Sequence, residues 1–261
     1  MLILRTSRVI KVSRPLMSKQ LGLWIIVMLK DCFVASLLAM TQLVLALTLM
    51  PSYARADDGL IDRIQQTEKS MVVVRTELTR VMHTDPPQMA TFYRTAAGIV
   101  IDPSGIIVAN THTIIHAPFI FVVLRDGTKL PAQVLFASTD YDFSFLKIDP
   151  PYPLQSVRWA DSSLVNVGDN ILAVGNSDYD NQSIMEGHIK GIIQSRSTLT
   201  HDFLELDLDL HHGDSGGPIL DEQGQLLGMV MAKRESEPNS SIAIASNKIH
   251  LQYLQYKKNV P

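Results

Sequence analysis

Beyond residue 70, hydrophobic and polar positions alternate in short runs, and a period of two marks half-buried β-strands. The clearest run is 203–210, F-L-E-L-D-L-D-L. Further strands are predicted over 70–76, 92–102, 106–109, 119–124, 129–137, 143–148, 170–174, 183–195, 226–232 and 241–245. Turn signals separate them: Pro103-Ser104-Gly105, Arg125-Asp126-Gly127 and the run from Asp221 to Gly224. The stretch 77–91 contains Asp85-Pro86-Pro87 and reads as a loop. Helical spacing is confined to the ends. One short helix is predicted within 57–69, and a second over 248–256, capped by Ser246-Asn247. Pro150-Pro151-Tyr152-Pro153 breaks the pattern, so the chain is expected to be all-β in two halves, 57–150 and 151–261.

Residues 1–56 differ. A basic start (Arg5, Arg8, Lys11, Arg14, Lys19) precedes an apolar run without a charge over 33–50. Ala54-Arg55-Ala56 then stands before Asp57-Asp58. These are the parts of a secretory signal peptide cleaved after Ala56. The apolar run is also long enough to stay as a signal anchor. A start at Met28 would give a shorter leader. The expected location is therefore periplasmic or secreted, with membrane attachment only through an uncleaved leader. Residues 1–56 hold seven Lys/Arg and one Asp, a net of +6; the chain totals −3, which leaves −9 on 57–261. That charge argues against nucleic acid as a partner. The single cysteine, Cys32, rules out an internal disulfide. Nothing in the pattern sets an oligomeric state.

Candidate chemistry lies at 211–220, H-H-G-D-S-G-G-P-I-L. Ser215 between an acid and two glycines suits a nucleophile on a tight turn. Gly213 can take backbone angles closed to other residues and aim its N–H beside that of Ser215. Two such donors around Asp214 would form an oxyanion hole. A nucleophilic serine also needs a base and an orienting acid. No His/Asp/Glu spacing suggests a metal site, and no cofactor is expected.

The strings A-G-I-V-I-D-P-S-G-I-I-V-A-N-T-H (97–112), Y-D-F-S-F-L-K-I-D (141–149), E-G-H-I-K-G-I-I (186–193), G-D-S-G-G-P-I-L (213–220) and A-I-A-S-N (243–247) resemble the chymotrypsin-fold serine proteases. More narrowly, they resemble the bacterial HtrA/Deg-type branch. The resemblance implies two six-stranded antiparallel β-barrels followed by a C-terminal helix. It implies His112 as base, Asp142 as acid and Ser215 as nucleophile, with Asp140 the rival acid. It places an extended substrate along Met231, Ala232 and Lys233. By a gapless match, Asp209 falls where trypsin-like enzymes bind Arg or Lys. The alternative is an outward acid of an alternating strand, and Lys233 would compete for it. Two departures stand out. Asp214 replaces the asparagine usual in this branch, with water or a basic side chain as its expected partner. The sixteen residues after Ala245 leave room for one helix and not for the PDZ domain such proteins carry. The expected activity is a serine endopeptidase acting on proteins or peptides through an acyl-enzyme. The alternative is an inactive binding or adhesion module on the same fold.

Overall fold

A computed structural model of the chain describes residues 62–175, 183–194, 201–210, 213–234, 237 and 239–259. The predicted leader lies outside the described residues. Among the described residues, no helix is long and apolar enough to cross a membrane. Residues 58–261 cluster as one compact unit.

A helix over 62–68 leads into the first β assembly. Its strands are β1 (Met71–Met82), β2 (Gln88–Asp102), β3 (Ile106–Ala109), β4 (Phe119–Val123), β5 (Lys129–Pro131), β6 (Gln133–Ser138) and β7 (Phe143–Lys147). They form one antiparallel sheet in the order β5-β4-β1-β2-β3-β7-β6. Only Ala132 separates β5 from β6, and its N–H turns aside to the carbonyl of Ile120 at 2.9 Å. The two ends of the sheet are thus one continuous run of chain. Six strand runs wrap a core of Val72, Val74, Val100, Ile107, Val122 and Leu146. The second assembly is a closed six-stranded barrel, β10-β13-β12-β11-β8-β9. It comprises β8 (Asn170–Gly175), β9 (Ser183–Gln194), β10 (His201–Leu206), β11 (Pro218–Leu220), β12 (Leu226–Lys233) and β13 (Ser241–Ala245).

The alternation at 203–210 has a direct physical meaning. Leu204, Leu206, Leu208 and Leu210 are all buried in the second core, although the strand itself ends at Leu206. The leucines continue to fill the barrel after the chain has left the ladder to deliver the serine turn. The predicted loop at 77–91 is instead the outer half of a long hairpin, with β1 and β2 paired from Met71↔Ile99 to Met82↔Gln88. Pro86 and Pro87 occupy only its tip. The Thr, Val, Phe and Tyr residues on either side favour pairing.

The C-terminal helix (Ser246–Asn259) starts directly from β13 and packs on both assemblies. Ile249 and Tyr253 are buried with Ile99 and Phe145 of the first assembly and Met229 of the second. Phe145 and Tyr253 meet edge to face at 5.7 Å, a favoured aromatic geometry. Ser246 is not the expected side-chain cap. Its hydroxyl is buried and donates to the carbonyl of Ala160 at 3.0 Å. His250 is half-buried and stacks on Trp159 with centroids 4.6 Å apart. Burial lowers its pKa.

Farther along the helix, the Tyr253 hydroxyl donates to Asp102 Oδ2 at 2.6 Å, and Lys257 lies 3.6 Å from the same oxygen. Partial burial pushes the Asp102 carboxyl up. The Tyr253 hydroxyl, the Ser104 amide and Lys257 outweigh it and hold the carboxyl at about 2. A group depressed in the folded state contributes stability above its unfolded pKa and loses it as pH falls through the folded value. Tyr253→Phe is therefore expected to destabilise the chain by about 1 kcal/mol at neutral pH. The deficit should shrink as pH falls from the ordinary carboxylate value of 3.8 toward 2. Urea denaturation of both forms across that range checks this.

Candidate active site

The first assembly contributes a histidine and a carboxylate. After β3 the chain makes a single helical turn, Thr111–Ile114. Thr111 anchors it: its hydroxyl contacts Ser144 Oγ at 2.8 Å and reaches the carbonyl of Ser138 at 2.9 Å. Thr113 donates back to the carbonyl of Asn110 at 2.7 Å. Thr111 and Thr113 are buried, while His112 between them stays about half exposed.

Asp142 precedes β7 and has φ 56, a left-handed conformation uncommon for a residue with a side chain. That bend curls its carboxylate over the start of the helical turn. Oδ1 accepts the His112 backbone N–H at 2.9 Å, and Oδ2 lies 2.7 Å from His112 Nδ1. Asn110, fully buried, donates from Nδ2 to Asp142 Oδ2 at 3.3 Å and to its carbonyl at 3.2 Å. With Nδ1–H donating to the carboxylate, Nε2 is left as the proton acceptor of the ring. Asp140, the rival acid, lines the same cavity, but it is Asp142 that meets the imidazole.

The second assembly contributes the serine turn. Gly213 has φ 107 and Gly216 φ 82, both reserved in practice for glycine. A Cβ on Gly216 would lie 2.1 Å from the carbonyl oxygen of Ala97. The turn is bonded on both sides. The Ser215 carbonyl accepts the N–H of Ala97 in β2 at 2.9 Å. The N–H of Gly216 donates to Val230 at 3.0 Å, and Val230 donates back to Gly217 at 2.9 Å. Asp214 is buried, which removes bulk water as its partner. His211 and His212 lie outside the described residues.

His112, Asp142 and Ser215 face one cavity of about 720 Å³. Its other walls are Thr139, Asp140, Phe203, Leu210, Met231, Ala232 and Lys233. Of the expected substrate residues, Met231, Ala232 and Lys233 line it. Asp209 is not among its lining residues; Lys233 Nζ is bonded to Asp209 Oδ1. Asn110, Phe203 and Leu210 were not singled out from the sequence. Phe203 and Leu210 could have been, since they bound the alternating run that ends at the serine turn. Asn110 carried one signal, its place beside Thr111 and His112 at the end of a strand.

Residues 96–229 match the family described as trypsin-like peptidase domain. The chain is 32% identical over 142 residues to a probable periplasmic serine endoprotease DegP-like of Rickettsia conorii, covering 51% of this chain and 27% of that one. It is 28% identical over 168 residues to the periplasmic serine endoprotease DegP of Salmonella typhimurium, covering 62% and 35%. It is also 28% identical over 193 residues to the periplasmic pH-dependent serine endoprotease DegQ of Escherichia coli, covering 71% and 42%. The chain thus spans well under half the length of these curated relatives. Among solved structures, an HtrA-type protease, AlgW, with a decapeptide superposes with a TM-score of 0.65 at 23% identity, covering 75% of this chain and 65% of that one. A serine endoprotease from Yersinia pestis gives 0.61 at 21% identity, covering 77% and 67%. These structures share the fold, and the sequence match takes in half of this chain: it belongs to the trypsin-like peptidase domain family.

Proposed function

We propose that this chain is a serine endopeptidase of the cell envelope that cleaves peptide bonds through an acyl-enzyme on Ser215. The observation that carries the reading is the 2.7 Å bond between His112 Nδ1 and Asp142 Oδ2 at a cavity shared with Ser215. His112 Nε2 takes the proton of Ser215 Oγ as Oγ attacks the scissile carbonyl. Asp142 holds the tautomer and stabilises the imidazolium that forms. The backbone N–H groups of Gly213 and Ser215, with Asp214 between them, receive the oxyanion. His112 then protonates the leaving amine. Water, deprotonated by the same imidazole, releases the acyl group and restores Ser215. Envelope location rests on the leader-like residues 1–56 and on the periplasmic relatives.

An extended substrate would pair with Met231, Ala232 and Lys233. Ala232 and Lys233 pair with β13 on one side, with Met231 at the bulge between Val230 and Ala232, while β12 pairs with β11 only as far as Met229. An added strand takes its affinity from main-chain bonds and its specificity from alternate side chains. Phe203, Leu210 and Met231 offer apolar walls, and Lys233 neutralises Asp209. Both features favour an apolar residue before the scissile bond over a basic one.

In a fluorophosphonate assay, the wild-type chain is expected to label and Ser215→Ala to remain unlabelled. Asp142→Asn should retain the fold and lose activity by roughly 10⁴-fold, because the imidazole would take the wrong tautomer. A folded wild-type chain that fails to label, with peptide substrates present, would instead identify an inactive binding module.

The basic-specificity alternative has its own test, a peptide library cleaved by the wild type and by Asp209→Ala. We expect both to cut after apolar residues with the same ranking. A preference for Arg or Lys that disappears in Asp209→Ala would reverse the assignment.

A further inference from the structure

The hairpin of β1 and β2 runs well past the sheet that supports it. β4 pairs with β1 only over Val73–Glu77, and β3 pairs with β2 only from Ile99 to Asp102. Among the described residues, the segment joining Leu78–Met82 to Gln88–Phe92 is therefore a two-stranded ribbon without a third strand. Such a ribbon is marginal alone in water. This one also exposes large apolar groups: Val81 at 58%, Met89 at 71%, Phe92 at 47% and Tyr93 at 62%.

The pairing register sorts these residues into two faces, because directly opposed residues share a side. Thr76/Arg94, Leu78/Phe92 and Arg80/Ala90 lie on one face. That face forms the floor of a groove of about 450 Å³, walled by Ile115, His116 and Ala117. Among the described residues, no carboxylate lines the groove. Arg80 and Arg94 are exposed, and neither has an ion-pair partner among the described residues. Glu77 belongs to the opposite face and is paired with Lys129 at 2.6 Å. On a body of net negative charge, this is a cationic groove with an apolar centre.

The spacing narrows the ligand. Along the ribbon, Arg94 lies level with Thr76, and Arg80 lies four residues further on, with Leu78 and Phe92 midway. At a rise of about 3.4 Å per residue, the cations stand about 14 Å apart. An extended peptide has the same rise and the same two-residue alternation. Its residues i and i+4 would meet the two arginines, and i+2 the apolar pair. We infer that this face is a second peptide site, selective for an extended segment with carboxylates at i and i+4 and an apolar side chain at i+2. The site is separate from Ser215 and does not depend on the chemistry proposed there. Its wall, however, follows directly on the turn that carries His112, and Thr76 Oγ1 donates to the carbonyl of Thr113 at 3.4 Å.

The test uses the full chain carrying Ser215→Ala, so that no probe is cut. Fluorescein-labelled, capped G-E-T-L-T-E-G is titrated by anisotropy against two controls, G-K-T-L-T-K-G and G-E-E-L-T-T-G. The first peptide should bind at least roughly tenfold more tightly than either control, and more weakly as salt rises from about 50 to about 500 mM. Arg80→Gln with Arg94→Gln should weaken it roughly tenfold, while Arg80→Lys with Arg94→Lys stays within about threefold, since the charge remains. Circular dichroism establishes that each variant is folded. Equal binding of all three peptides, undetectable binding of the first, or unchanged affinity in the glutamine variant would overturn the inference. Binding of a single-stranded oligonucleotide with spacing-independent peptide binding would mark a general polyanion surface and overturn it as well.

Discussion

The hydrogen bond from Ala97 N–H to the carbonyl of Ser215 is the constraint on which the site depends. The histidine and its carboxylate belong to one β assembly and the serine to the other. Any shift between the two would carry the three side chains apart, and the chemistry proposed for them tolerates little displacement. The bond fixes the serine turn to β2 directly. The absence of a side chain on Gly216 permits the approach, since a Cβ there would meet the Ala97 carbonyl at 2.1 Å. Val230 holds the other side of the turn through two further bonds. The backbone of the serine turn is thus clamped between the assemblies, and the Ser215 side chain faces the cavity.

The C-terminal helix acts on the same junction from a distance. Tyr253 and Ile249 fill a core that mixes residues of both assemblies, including Ile99, two positions beyond Ala97 in β2. Nearer the site, Lys248 bonds Asp202 at 2.9 Å and lies 3.7 Å from the ring centroid of Tyr141. Tyr141 adjoins Asp142 and also meets Phe203, a wall of the cavity, at 6.0 Å. Packing and charge here tie the loop carrying the acid to the assembly carrying the serine.

What the sequence made legible follows from which forces act locally. Strand alternation, the Pro150–Pro153 break and the glycine turn at 213–217 each need only neighbouring residues, and each appears in the fold as a strand run, a connection or a positive-φ turn. The hairpin at 77–91 was hidden because its prolines dominate the local composition, whereas pairing with a partner strand decides its conformation. Ser246 carries the chemistry of a helix cap, yet burial against Ala160 gives its hydroxyl a tertiary partner instead. Asn110 was hidden for a similar reason. Its role toward Asp142 exists only once residues 32 apart in sequence are brought together.

The ambiguity at Asp209 shows why a motif position does not fix specificity. An acid can select a basic substrate only if its charge reaches the binding cavity unneutralised. Asp209 lies within an alternating run whose even-numbered leucines point into the barrel, so its own side chain is directed outward. Lys233, at the end of β12, meets it there. The pair is about half exposed and adds little stability on its own. Its effect is electrostatic: it leaves the cavity beside Ser215 with Phe203, Leu210 and Met231 as walls and with no uncompensated charge from Asp209. On the proposed reading, a basic side chain entering there would lose hydration and find Asp209 already engaged by Lys233. Strand parity thus places Asp209 on the outer side of the run, within reach of Lys233, whatever acid a motif position would suggest there.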